Sequence, residues 1–146
     1  MAQSLAVKYR PKTFDEVLGQ KSVIKILTRQ LELNQFSNCY LFCGPSGDGK
    51  TTTCRAFAHY INRNQGSPIE IDGASNNGVD AVRSIIEASR ERSIDSEYKI
   101  FIIDECHMIT NAGWNAFLKC IEEPSEYTIF MFCTTNPEKI PDTILN

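Results

Sequence analysis

The sequence predicts an α/β domain in which a parallel sheet is sandwiched by helices, and three observations lead there. Short apolar runs alternate with segments whose apolar residues recur at helical spacing. Two of the runs, Ile100–Ile103 and Thr128–Cys133, are almost wholly apolar, as strands covered on both faces must be. A glycine-rich turn, Gly44-Pro45-Ser46-Gly47-Asp48-Gly49-Lys50-Thr51, joins the apolar run Cys39–Cys43 to a helical pattern.

The elements follow in order. The first twenty residues are polar and basic and end in Thr13-Phe14-Asp15-Glu16-Val17-Leu18-Gly19-Gln20. From Ser22 to about Leu33, the positions of Val23, Ile24, Leu27 and Leu31 predict a helix. The strand Cys39–Cys43 comes next and runs into the glycine-rich turn. Cys54, Phe57, Ala58 and Ile61 mark one face of a second helix, which frays at Asn62-Arg63-Asn64-Gln65-Gly66. Pro68–Asp72 reads as a short strand, and Asn77 or a neighbour is expected to cap a helix carrying Val79, Val82, Ile86 and Ser89. After the strand Ile100–Ile103, a helix over Asn111–Glu122 has Trp114, Phe117, Leu118 and Ile121 at i, i+3, i+4 and i+7, and Pro124 stops it. The strand Thr128–Cys133 follows. With no repeat and no low-complexity linker, the 146 residues fit one domain, 1–146.

Composition narrows the function. No apolar run approaches the roughly 18 to 20 residues of a membrane span, and the amino terminus lacks a signal peptide's apolar core. A cytoplasmic protein without a membrane partner is expected. A net charge of −3 means that any DNA contact must be a local patch. The six cysteines, Cys39, Cys43, Cys54, Cys106, Cys120 and Cys133, form no CxxC pair, and several lie in apolar runs. They read as reduced, buried small hydrophobes, with no disulfide and no zinc.

The glycine-rich turn matches GxxxxGK[ST] in the strand-to-helix setting that phosphate binding requires. Glycines let the backbone turn its N–H groups toward phosphate oxygens, and the following helix adds the positive end of its dipole. Lys50 can reach the β- and γ-phosphates, and Thr51 offers its hydroxyl to Mg²⁺. The predicted nucleotide site is therefore Gly44, Pro45, Ser46, Gly47, Asp48, Gly49, Lys50, Thr51 and Thr52. A carboxylate facing the phosphates would oppose binding, so Asp48 is expected to point into solvent, where its charge is screened.

Asp104-Glu105 closes the Ile100–Ile103 strand, at the end of a parallel strand where such sheets bind ligands. Asp104 is assigned to Mg²⁺, and Glu105 to activating the water that attacks the γ-phosphate. His107 reads as a polar loop residue. Thr134-Thr135-Asn136 ends the next strand. Residues there can touch the γ-phosphate or its attacking water, and a plain strand-exit turn reinforced by Pro137 is the other reading.

Taken together these motifs carry a resemblance. The stretch from Val7 to Gln20 resembles the amino-terminal signature of clamp-loader ATPases of the AAA+ class. The segments Glu70–Val79, Ile102–Met108 and Leu118–Pro124 are similar to those of bacterial DNA polymerase III gamma/tau subunits, as is Thr134–Leu145 to their sensor-1 region. The resemblance covers nearly the whole chain. It implies an ATP-driven subunit that works in a ring-like hetero-oligomer, engages a sliding clamp and places it on primed DNA. Carried onto this sequence, Lys50, Thr51 and Asp104 serve ATP and Mg²⁺, Glu105 is the catalytic carboxylate, and Thr135 is the sensor. The resemblance also implies an adenine pocket lined by Tyr9, Arg10, Pro11 and Val17. Arg83 matches a helix arginine facing the DNA backbone, although a solvated helix face accounts for it equally well from sequence.

The sequence departs from the family in three ways. Gamma/tau subunits usually carry a four-cysteine zinc module, and here only a short cysteine-free stretch joins Ile61 to Ile69, which fits a compact, phage-borne homologue. The family's Ser-Arg-Cys motif would begin at Asn146, so the arginine finger and the helical lid lie outside this sequence. The fifth strand beside Tyr40–Cys43 would also be missing, and that run is expected to form an exposed apolar edge. The chain thus reads as an incomplete domain with weak turnover alone. Two alternatives stand beside the ATPase: a nucleotide-binding assembly subunit with little hydrolysis of its own, and another AAA+ DNA remodeller such as a Holliday-junction motor.

Overall fold

Strands β1 (Glu16–Leu18), β2 (Cys39–Cys43), β3 (Ile69–Asp72), β4 (Lys99–Asp104) and β5 (Thr128–Thr134) form one sheet in the order β1-β2-β5-β4-β3. Every neighbouring pair is parallel. The structure is a computed structural model that describes residues 16–18, 23–44 and 50–145. Helices α1 (Val23–Leu33), α2 (Lys50–Ile61), α3 (Val79–Ser89), α4 (Asn111–Glu122) and the short α5 (Asp142–Leu145) connect or follow the strands.

The two faces of the sheet sort by the two-residue period of a strand. On β2, Cys39, Leu41 and Cys43 join one core, while Tyr40 and Phe42 join the other. On β5, Phe130 and Phe132 point to the first core and Ile129, Met131 and Cys133 to the second. The first core is closed by Val82, Ile85 and Ile86 of α3 and by Trp114, Phe117 and Ile121 of α4. The second is closed by Leu27 of α1 and by Cys54, Phe57, Ala58 and Ile61 of α2. Both β2 and β5 are buried along their whole length, which is why their sequences show no alternation. Phe117 packs edge-on to Phe130 and Phe132, with ring centroids 5.9 and 5.3 Å away. Burying each such ring contributes roughly 2 to 3 kcal/mol.

The strands read from the sequence are present, and so is a further one. The expected exposed edge at Tyr40–Cys43 is corrected: β1 pairs with β2 in the register Glu16↔Tyr40, Val17↔Leu41 and Leu18↔Phe42. A three-residue strand is too short to show a period, so the polar context of residues 13–20 concealed it. The cap expected at Asn77 or a neighbour falls to the neighbour. Gly78 is the N-cap residue of α3 and makes no side-chain cap bond. The Asn77 side-chain amide donates to the Ala74 carbonyl at 3.1 Å, and the Asn77 backbone carbonyl accepts from the Thr110 N–H at 3.0 Å. Thr110 does cap α4, its hydroxyl accepting from the Gly113 N–H at 3.1 Å.

All six cysteines are free thiols, as expected; five are buried and Cys120 is half-buried. Cys54 and Cys133 lie with sulfurs 3.3 Å apart between α2 and β5. Burial, the leading cause, pushes the Cys43 thiol up to about 12 and raises Cys54, Cys106 and Cys120 as well. Thiolates are the reactive form, so the native protein is expected to be labelled by iodoacetamide at pH 8 first at Cys120, with the other five following only on unfolding. Peptide mapping after short and long exposure checks this. A group whose folded pKa is raised gives stability that is complete below its ordinary value. For Cys43 that stability is lost as pH climbs from about 9 toward 12.

Candidate nucleotide-binding site

Parallel strands end on the same edge of the sheet, and there the register gathers the polar residues. Asp72 lies beside Asp104, and Cys43 lies beside Thr134. Gly44, which leaves β2, donates its N–H to the Thr134 carbonyl at 3.4 Å. Helix α2 begins at Lys50, so the positive end of its dipole lies at this edge. Residues Pro45, Ser46, Gly47, Asp48 and Gly49 lie outside the described residues, as do Tyr9, Arg10 and Pro11. The solvent-facing orientation expected for Asp48 therefore has no structural counterpart here. The backbone of Val17 lies in β1, next to β2.

A cleft of about 320 Å³ is lined by Thr51, Arg55, Glu70, Ile71, Asp72, Ile102 and Asp104. It brings together the two residues read from the sequence as metal ligands, Thr51 from the first turn of α2 and Asp104 from the tip of β4. A hydroxyl and a carboxylate facing one cleft form a hard oxygen donor set, of the chemistry that suits Mg²⁺. Thr52, one position on, is exposed on α2. The cleft's side wall is an ion pair that the sequence reading did not single out. The Arg55 Nε and Nη2 donate to the Glu70 carboxylate at 2.6 and 2.8 Å. The guanidinium hydrogen bond holds the Glu70 carboxyl below the usual carboxylate range. Both side chains are exposed, so the pair orients the wall and adds little stability.

Glu105 follows Asp104 with left-handed backbone angles, φ 52° and ψ 42°. A non-glycine residue in that region costs of order 1 kcal/mol or more, and surrounding bonds must hold it there. Three hold this turn. The Glu105 N–H donates to Asp104 Oδ1 at 2.9 Å. The Met108 N–H donates to the Glu105 carbonyl at 3.0 Å, and the Gly73 N–H to the Asp104 carbonyl at 2.7 Å. Gly73 packs so closely that a Cβ would sit 2.6 Å from the Asp104 carbonyl oxygen and 2.9 Å from that of Glu105. Those are backbone atoms that cannot swing aside. Gly73→Ala is expected to destabilise the fold by about 1 to 3 kcal/mol and to displace the Asp104–Glu105 turn. Urea denaturation of the two proteins measures the first effect.

His107 lies in the connection after β4, as read from the sequence, but is held there by partners that the sequence does not show. It sits in a 3₁₀ turn, Cys106–Met108, with its side chain only 7% exposed. Nδ1 lies 2.8 Å from Thr134 Oγ1, and Nε2 lies 3.4 Å from Glu105 Oε2. Nothing in local spacing shows this, because the partner is on β5. Thr135, read as the sensor, is half-buried and donates its hydroxyl to Asn136 Oδ1 at 2.7 Å. Arg83 is far more exposed, on α3, 3.7 Å from Asp80 Oδ1. With Arg90 and Lys119 it lines a separate groove between α3 and α4.

A sheet of this order, with a phosphate-loop helix after β2 and carboxylates closing β4, defines an AAA+ P-loop fold. Solved structures agree: a gamma-subunit-related protein of DNA polymerase III from Thermotoga maritima superposes with a TM-score of 0.69 at 24% identity, over 83% of this chain and 42% of that one. RuvB from the same organism superposes with a TM-score of 0.62 at 22% identity, over 84% of this chain and 42% of that one. The family profile described as DNA polymerase III, delta subunit, matches residues 68–146, and the chain belongs to this DNA polymerase III subunit family. Curated relatives of similar sequence include gamma/tau subunits of DNA polymerase III. It is 39% identical over 160 residues to the gamma/tau subunit of Mycobacterium tuberculosis, covering 94% of this chain and 28% of that protein. It is 39% identical over 165 residues to the tau subunit of Bacillus subtilis and 36% identical over 165 to that of Escherichia coli, covering 99% of this chain and 29% and 26% of those proteins. The chain thus spans under a third of the length of these relatives. Alignments longer than its 146 residues mean that the relatives carry insertions within the matched span. These relatives are bacterial and lend no support to a phage source.

Proposed function

We propose that this chain is an ATP-binding and ATP-hydrolysing subunit of a DNA polymerase clamp loader, and that its residues 1–146 belong to one AAA+ ATPase domain. The observation that carries the reading is the meeting of Thr51 and Asp104 at one cleft, with Glu105 pinned beside them and the amino terminus of α2 at Lys50.

In this reading the loop Gly44–Gly49 with Lys50, Thr51 and Thr52 takes the phosphates. Tyr9, Arg10, Pro11 and Val17 take the adenine. Lys50 sets its charge against the β- and γ-phosphates, and the α2 dipole adds to it. Mg²⁺ arriving with ATP offsets the phosphate charge, and Thr51 and Asp104 are the residues that would hold it. Glu105 orients the attacking water and accepts its proton, and Thr135 contacts the γ-phosphate. Arg83 faces the DNA backbone from α3. The partners are further loader subunits, the sliding clamp and primed DNA, in the cytoplasm. Among the described residues no helix is long and apolar enough to cross a membrane.

ATP turnover by the full-length protein assembled with its partner subunits, measured with and without clamp and primed DNA, tests the proposal. Stimulation by both together supports it. Turnover indifferent to both would sink the clamp-loading reading while leaving the nucleotide site standing.

A further inference from the structure

His107 stands between two parts of the site that reach the same edge from different strands. Thr134 closes β5, and its Oγ1 accepts the Asn136 N–H at 2.9 Å, so the hydroxyl proton is available for another partner. His107 Nδ1 lies 2.8 Å away, and the Glu105 carboxylate facing Nε2 favours the tautomer whose Nδ1 accepts that proton. An imidazole that accepts at Nδ1 carries its proton on Nε2, which is the nitrogen facing Glu105 Oε2 at 3.4 Å. The three groups therefore run in one direction, from the threonine hydroxyl through the imidazole to the carboxylate. The histidine is enclosed, with its side chain 7% exposed, whereas that of Glu105 is 43% exposed. Since the Glu105 backbone is fixed at both its N–H and its carbonyl, His107 bears on the freedom that remains, the rotation of the carboxylate. The 3.4 Å separation is of the kind that closes when substrate is in place.

We infer that His107 is a positioning residue that ties the end of β5 to Glu105, so that movement of Thr134–Asn136 on nucleotide binding sets the orientation of the carboxylate that activates water. This rests on the reading of Glu105 given above. His107 touches no reacting atom, and its effect falls on turnover more than on ATP affinity.

The test uses the full-length protein assembled with its partner subunits. His107→Ala is expected to lower kcat about ten- to hundredfold while the ATP dissociation constant stays within about twofold. His107→Gln, whose amide can still bridge the two sites, should recover part of the loss. Thr134→Val should lower kcat in the same manner, and the double variant should be no worse than His107→Ala. Unchanged kcat in His107→Ala, multiplying effects in the double variant, or equal losses for Ala and Gln accompanied by a lowered melting temperature would each overturn the inference. A long-range ¹H–¹⁵N spectrum of the imidazole gives a readout independent of hydrolysis. It should show the Nε2–H tautomer, with the Nδ1 signal shifted in Thr134→Val, and an Nδ1–H tautomer would overturn the inference. Equal turnover by wild type and Glu105→Gln would instead defeat the assignment of Glu105 to water activation, and the imidazole spectrum would still decide whether the link exists.

Discussion

Replacing Glu105 by Gln is expected to leave ATP bound and to reduce its hydrolysis about 10²- to 10⁴-fold. The amide matches the carboxylate in shape, so the turn it occupies has no reason to move. What it loses is the charge and the capacity to take a proton from water. At about 1.4 kcal/mol for each factor of ten, the loss corresponds to roughly 3 to 6 kcal/mol of the barrier. The ligand-facing oxygens of Thr51 and Asp104 are untouched, so affinity should stay close to that of the wild type. Stopped-flow binding and single-turnover hydrolysis in the assembled protein separate the two quantities. A parallel fall in both would mean that Glu105 supports the structure of the site and not its chemistry.

The substitution Lys50→Ala is expected to act on the other quantity. Lys50 opens α2 at the phosphate end of the predicted loop. Hydrogen bonds to charged groups contribute about 1.5 to 3 kcal/mol, so ATP affinity should fall roughly ten- to hundredfold, with turnover falling as well. The melting temperature without nucleotide should barely change, because the buried face of α2 is made by Cys54, Phe57, Ala58 and Ile61. Calorimetric titration with MgATP checks the affinity. Together the two variants divide the site into a binding half on α2 and a hydrolytic half after β4.

Most of the sheet was legible in the sequence for one physical reason. Strands buried on both faces must be apolar at every position, and Leu41, Ile102 and Phe132 sit in runs that satisfy this. The helix faces were legible because Phe57 and Phe117 recur with their neighbours at helical spacing. β1 was not, since Val17 and Leu18 are too few to establish a period. In the site, Lys50, Thr51, Asp104 and Glu105 could be named because the phosphate loop and the strand-end carboxylates are local patterns. His107, Gly73 and the Arg55–Glu70 pair could not. Each owes its place to a partner distant in sequence: Thr134 for the histidine, Asp104 and Glu105 for the glycine, and a residue on another element for the arginine.

Hydrogen exchange of the full-length protein with and without MgATP asks whether nucleotide sits at this edge of the sheet. Slowed exchange is expected from Lys50 to Arg55 and from Asp104 to His107, lost in Lys50→Ala. Bound ATP that leaves both segments unprotected, or protects a different edge of the sheet, would contradict it.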